Sequence, residues 1–181
     1  KKGSESLTSF KQALYFKEIG FNVHDTMIYK AEKPPLTHNR YEQKFEYMFV
    51  FSKGKPNTFN PILEPSKYAG QDKKSRTLRQ DSDELGNRSG KGKVKDFKIK
   101  GNVWEYAKIA FKHPAIFPEQ LVKDHIISWS NENDLVYDCF MGSGTTAKMA
   151  KLNNRNYIGS EISEEYCKII EQRLNDTGTL F

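Results

Sequence analysis

The 181-residue chain is 36% hydrophobic, 29% charged and 13% aromatic, which is too aromatic for a disordered tail and too polar for a membrane protein. Its longest apolar run, Tyr47-Met48-Phe49-Val50-Phe51, falls far short of the ~20 residues that span a bilayer. Basic and acidic residues number ten and six in 1–63, eleven and six in 64–100, and eight and eleven in 101–181, so the net charge of +6 arises in the first two stretches. From the N-terminus, residues 6–19 predict an amphipathic helix, with Leu7, Phe10, Ala13, Leu14 and Phe16 at helical spacing and Gly20 as the stop. Residues 21–30 predict a strand, broken by Lys33-Pro34-Pro35-Leu36. A second strand over 45–52 ends in Lys53-Gly54-Lys55-Pro56, and the two form an antiparallel pair.

Residues 64–100 are basic and poor in apolar side chains, which predicts a long, mobile insertion without a core of its own. It reads either as an arm that neutralises phosphates or as a solvated loop that happens to be basic. Beyond it, Phe117-Pro118-Glu119 opens a helix, with Pro118 near its first position and Leu121, Val122, Ile126 and Trp129 as the buried stripe. Asn131–Asp134 is a turn and Leu135–Asp138 a short buried strand. A helix follows from Thr145 to about Leu152, then a strand over 156–161. Ser163 caps a last helix through Leu174, with Glu164 and Glu165 at its positive end. That order is one half of a doubly wound α/β sheet. Cys139 and Cys167 make neither a disulfide framework nor a zinc site, and His24, His38, His113 and His125 have no metal-ligand spacing. No signal peptide is apparent behind Lys1-Lys2-Gly3, and the cytoplasm is the expected location.

Asp138-Cys-Phe-Met-Gly142-Ser-Gly144-Thr-Thr-Ala147 joins a strand to a helix and matches the G-x-G-x-x-G/A pattern. Its glycines permit a sharp turn and close approach to a ligand, and Glu161 stands where a nucleoside-binding fold places the carboxylate that accepts ribose hydroxyls. Ala147 stands where a Walker loop needs glycine, and only 20 residues follow Glu161, too few for the second half of a dinucleotide fold. A nucleoside bound by one half-sheet remains, with S-adenosylmethionine the leading candidate.

These residues resemble the β-class DNA amino-methyltransferases, in which the target-recognition region precedes the cofactor motifs. Asp138-Cys-Phe-Met-Gly-Ser-Gly-Thr-Thr is similar to that family's Asp-Pro-Phe-x-Gly-Ser-Gly-Thr-Thr, with Cys139 in place of Pro. Tyr157-Ile-Gly-Ser-Glu161-Ile-Ser-Glu-Glu-Tyr166, with Arg173-Leu174, resembles the ribose-binding strand and closing helix. Asn102-Val-Trp and His113-Pro-Ala-Ile-Phe-Pro118 resemble the segment that helps hold the methionine end of the cofactor. Phe45–Pro56 resembles the strand closing the catalytic half.

The resemblance implies a Rossmann-like α/β methyltransferase fold with a mixed sheet, incomplete in this chain and carrying an inserted basic target-recognition segment. Residues 1–56 would be the end of the catalytic half, 57–101 the recognition insertion and 102–181 the cofactor half. The implied cofactor contacts are His113, Pro114, Ala115, Phe117, Asp138, Phe140, Gly142, Ser143, Gly144, Thr145 and Glu161. Candidate DNA contacts are Lys73, Lys74, Arg76, Arg79, Arg88, Lys91, Lys93 and Lys95, with the three arginines suited to guanine. The family's Asp/Asn/Ser-Pro-Pro-Tyr/Phe motif is absent, since Pro34-Pro35 lacks its polar and aromatic flanks. No catalytic residue is therefore assigned, and two central strands would come from an N-terminal segment of the same enzyme. The implied activity is methyl transfer from S-adenosylmethionine to an exocyclic amine of double-stranded DNA in a restriction-modification setting, adenine N6 favoured over cytosine N4. No membrane is implied, and a homodimer is left open. The alternatives are a non-catalytic nucleic-acid-binding module with a vestigial cofactor loop and an RNA methyltransferase.

Overall fold

The computed structural model describes residues 6–31, 41–73, 76–79, 85–88, 92–107 and 117–178, with the backbone alone for 76–79 and 85–88. In chain order these form α1 (Thr8–Glu18), β1 (Asn22–Lys30), β2 (Phe45–Ser52), β3 (Leu63–Pro65), β4 (Arg76–Arg79), β5 (Leu85–Arg88), β6 (Phe97–Ile99), β7 (Val103–Glu105), α2 (Glu119–Trp129), β8 (Leu135–Asp138), α3 (Thr145–Leu152), β9 (Asn156–Gly159) and α4 (Glu164–Asp176). The chain divides into two units, Lys1–Asn60 with Gly101–Phe181, and Pro61–Lys100. Among the described residues no helix is long and apolar enough to cross a membrane.

The first unit is mixed α/β. β1 pairs antiparallel with β2 and parallel with β7, giving the order β2-β1-β7, while β8 and β9 form a separate parallel pair. Aromatic residues populate β2 because a pleated, half-buried surface suits them. Phe16 of α1 stacks on Phe51 at 4.7 Å, and Phe10 meets Tyr47 at 4.9 Å. The helical stripe expected of α1 is only partly used, however, since Leu14 is 68% exposed. The α2 stripe holds better: Leu121 and Ile126 are buried, and Ile126 packs with Met149 and Ala150 of α3 against Val122 and Val136. Pro118 sits at the N-cap of α2 rather than inside its first turn.

β8 departs from expectation. Its neighbour α3 covers the face carrying Val136, but Leu135 and Tyr137 on the opposite face are 65% and 63% exposed. Alternate strand residues point to opposite faces, so a covering layer on one side alone leaves this pattern. Among the described residues β2 pairs only with β1, and β8 only with β9.

The second unit, expected as a long insertion without a core of its own, carries paired strands. Leu63 to Pro65 pairs antiparallel with Phe97 to Ile99, an isolated bridge joins Asp72 to Lys93, and β4 pairs with β5 in the register Arg76↔Arg88 to Arg79↔Leu85. Further ladder bonds run from Ser66 N–H to the Asp96 carbonyl (2.7 Å) and from Lys73 N–H to the Gly92 carbonyl (2.9 Å). Backbone pairing supplies the order that composition could not, and none of this unit's side chains among those described is buried. Glu64 and Lys98 face each other across the ladder in an exposed ion pair at 2.7 Å.

Candidate functional site

β8 ends at Asp138 and α3 begins at Thr145. Between them the chain turns through Gly142 at φ +54° and Gly144 at φ +80°, a backbone region that L side chains rarely adopt. At Gly144 a Cβ would also stand 2.9 Å from Ile170 Cγ1 of α4. The Gly144 N–H closes the turn onto the Met141 carbonyl at 2.9 Å. Asp138 braces the loop from the strand end, one carboxylate oxygen accepting the Phe140 N–H at 3.0 Å and the other the Thr146 hydroxyl at 2.6 Å.

The neighbouring strand supplies the opposing wall. Met141 N–H donates to the Ser160 carbonyl at 3.0 Å, and Ser160 N–H to the Asp138 carbonyl at 3.1 Å. Met141 packs against the α-carbon of Gly159 so closely that a Cβ there would lie 1.9 Å from its Cε. Two residues past β9, Glu161 Oε2 accepts the Gly142 N–H at 2.7 Å while Oε1 accepts the Ser163 N–H at 2.9 Å. The glycine turn and this carboxylate thus meet at the carboxyl ends of two parallel strands, where open α/β sheets bind ligands. The start of α3 adds N–H groups without intrahelical partners and the positive end of the helix dipole.

Behind the loop the side chains turn inward. Ser143 and Thr145 are buried, and Arg173 of α4 donates to the Ser143 carbonyl at 2.6 Å and to the two hydroxyls at 3.0 and 3.3 Å. In front, Phe140 is 87% exposed at the edge of the turn and Cys139 is exposed beside it. A second polar cluster ties β7 to α2. The Tyr106 hydroxyl donates to Asp124 at 2.6 Å, and the Gln120 amide donates to the other carboxylate oxygen at 2.6 Å. Burial, then the bond to Asp124 and its charge, push the Tyr106 hydroxyl well above the ordinary tyrosine range. Burial likewise holds His125 below the ordinary histidine range, opposed by the Asp124 charge; its ring meets Met48 Sδ at 3.3 Å and Trp104.

Of the cofactor contacts expected from sequence, Asp138, Phe140, Gly142, Ser143, Gly144, Thr145 and Glu161 are together in this one loop and its facing carboxylate. Phe117 precedes α2 and is 55% exposed. His113, Pro114 and Ala115 lie outside the described residues. Of the expected DNA contacts, Lys73, Lys93 and Lys95 are exposed, Arg76 and Arg79 lie in β4, and Arg88 lies in β5. Lys74 and Lys91 lie outside the described residues. No cluster of metal-binding side chains occurs among the described residues. The contact that sequence reasoning missed is the one Arg173 makes. Its only signal was the Arg173-Leu174 pair of the closing helix, which says nothing about what the guanidinium touches.

Residues 4–172 match a family model described as DNA methylase, of the N6/N4 class. The chain is 52% identical over 187 residues to the orphan methyltransferase M.BamHII of Bacillus amyloliquefaciens, a match that covers 97% of this chain and 71% of that protein. It is 39% identical over 84 residues to the DNA adenine methyltransferase YhdJ of Escherichia coli, covering 43% of this chain and 29% of that protein. Among solved structures it is similar to a complex of M1.HpyAVI with SAM, at a TM-score of 0.63 and 26% identity, over 96% of this chain and 72% of that one. The chain therefore spans part of the length of each of these relatives.

Proposed function

The chain belongs to the N6/N4 family of DNA methylases, and on that premise we propose that it carries the cofactor-binding half and the DNA-reading element of a site-specific DNA methyltransferase. The observation that carries the proposal is the glycine turn held against Glu161 by the 2.7 Å bond from the Gly142 N–H. The donor set suits S-adenosylmethionine. A carboxylate offers about four acceptor positions, and the two bonds from loop N–H groups fix its orientation while leaving it capable of accepting ribose hydroxyls. Gly142 and Gly144 bring backbone, not side chain, to the crevice, and Phe140 offers an apolar ring at its edge. His113, Pro114, Ala115 and Phe117 would hold the methionine end.

S-adenosylmethionine supplies, from its sulfonium, the methyl group that is transferred to an exocyclic amine of a DNA base. This chain's share is to bind and orient. Glu161 anchors the ribose, and the backbone of Gly142 to Thr145 lines the crevice. An amine inside a duplex is out of reach, so the base must be flipped, at a cost of about a few kcal/mol. Residues 57–101 are the recognition insertion, with Lys73, Lys93 and Lys95 as phosphate contacts and Arg76, Arg79 and Arg88 as the residues suited to guanine. Adenine N6 is the favoured target, supported by the likeness to a protein named as a DNA adenine methyltransferase.

An N-terminal segment would supply the strands missing between the β2-β1-β7 sheet and the β8-β9 pair and bring the residues that orient the target amine. The separation of these two sheets among the described residues, each with open edges, supports this reading. The test is transfer of tritiated methyl from S-adenosylmethionine to duplex DNA by the intact protein, followed by nucleoside analysis. N6-methyladenine is the expected product. Tight, salt-sensitive DNA binding with no transfer would instead mark a non-catalytic module, and label in RNA but not DNA would mark an RNA methyltransferase.

A further inference from the structure

The loop between β8 and α3 contains two glycines in the left-handed region and makes one internal turn bond, so its own sequence leaves it many conformations. What fixes it comes from outside, and the largest share comes from one side chain on α4. Arg173 Nη1 donates to the Ser143 carbonyl (2.6 Å), Ser143 Oγ (3.0 Å) and Thr145 Oγ1 (3.3 Å), while Nη2 donates to Glu119 Oε1 at 2.9 Å. The same Glu119 oxygen accepts Lys148 Nζ of α3 at 2.7 Å. The Arg173 side chain is 14% exposed, so these bonds form with little competition from water.

The carbonyl bond has a geometric consequence. A planar trans peptide points its C=O and the following N–H in opposite directions. Holding the Ser143 carbonyl toward α4 therefore holds the Gly144 N–H away from it, where it closes onto the Met141 carbonyl at 2.9 Å. One turn earlier on α4, Ile170 fills the space a side chain would need at Gly144. α4 thus sets both the plane of the 143–144 peptide and the depth of the turn.

We propose that Arg173 is a positioning residue for cofactor binding: without touching the ligand, its guanidinium fork sets the peptide orientations of the Gly142 to Thr145 loop that meet S-adenosylmethionine. The inference rests on the methyltransferase reading above and adds a role for a residue outside the crevice. Loop contacts to the cofactor's body exist in ground and transition state alike, and removing such uniform binding raises KM with little change in kcat.

The experiment is steady-state methyl transfer by the intact protein, varying S-adenosylmethionine at saturating DNA and then DNA at saturating cofactor. Arg173→Lys keeps a cation beside Glu119, but its single nitrogen cannot serve the Ser143 carbonyl, the Thr145 hydroxyl and Glu119 together. It should raise KM for S-adenosylmethionine roughly three- to tenfold, and Arg173→Met about ten- to a hundredfold, since small misplacements of a binding group cost that much. In both, kcat and KM for DNA should stay within about twofold of wild type. An unchanged cofactor KM in Arg173→Lys, a fall in kcat as large as the rise in KM, or misfolding of both variants would overturn the proposal by making Arg173 a purely structural brace. Absence of transfer by the wild-type protein would instead overturn the methyltransferase reading itself.

Discussion

The central side chain is Glu161, whose carboxylate is oriented by the N–H groups of Gly142 and Ser163. A hydrogen bond to a charged group is worth about 1.5–3 kcal/mol, so Glu161→Ala should weaken S-adenosylmethionine binding by roughly 10- to 100-fold, measured by titration calorimetry on the intact protein. An unchanged affinity would contradict the ribose assignment. Gly159 is a packing position rather than a ligand position. Gly159→Ala places a methyl group 1.9 Å from Met141 Cε and 2.9 Å from the Asp138 carbonyl, so something must shift. Overpacking of this kind costs about 1–3 kcal/mol in a urea melt, and a smaller residue at Met141 should recover only part because the backbone contact remains. His125 gives a pH signature. Burial depresses its pKa in the folded state, so below the unfolded value of about 6.5 the unfolded chain binds more protons than the native one. Stability should therefore fall as pH drops from about 7 toward 5 and level off once the folded histidine also protonates. His125→Leu should flatten that part of the urea-midpoint profile, and an unchanged slope would contradict the assignment.

Most helices and strands of the first unit were legible because their signals are local. Gly20 stops α1, Pro118 marks the start of α2, and Ser163 caps α4, its side chain accepting the Tyr166 N–H. The glycine turn was legible for the same reason: two glycines between an apolar run and a helix have few other uses. The ribbon of the second unit was not, because its order comes from backbone pairing, between β3 and β6 across more than thirty residues and between β4 and β5 across a short hairpin, and its side chains show no alternation of apolar and polar. Nor was the Arg173 contact, which joins α4 to a loop 30 residues earlier and to Glu119, 54 residues earlier. The ribbon's charge makes its own prediction. Replacing exposed Lys73, Lys93 and Lys95 by Gln should weaken DNA binding and reduce the slope of log K against log salt by about 0.9 for each phosphate no longer neutralised. An unchanged slope would remove these lysines from the DNA interface.

At the scale of the molecule, the described residues of the first unit hold a three-stranded sheet and a separate two-stranded one, with Leu135, Tyr137 and Ile158 more than half exposed on the second. Apolar strand faces and unpaired edges of this kind are unfavourable in water and invite pairing. If an upstream segment fills the interval, hydrogen exchange in the intact protein should show protected amides along one further edge of each sheet, the β2-β1-β7 sheet and the β8-β9 pair. Fast exchange along every open edge of either sheet would argue that the interval stays unfilled. Where the cofactor sits decides the rest, and a crystal structure of the intact protein grown with S-adenosylmethionine tests that directly. The ribose hydroxyls should lie within about 3.2 Å of the Glu161 carboxylate, with the Gly142 to Thr145 backbone against the ligand. A cofactor bound elsewhere, or a crevice filled by the protein's own side chains, would contradict that placement.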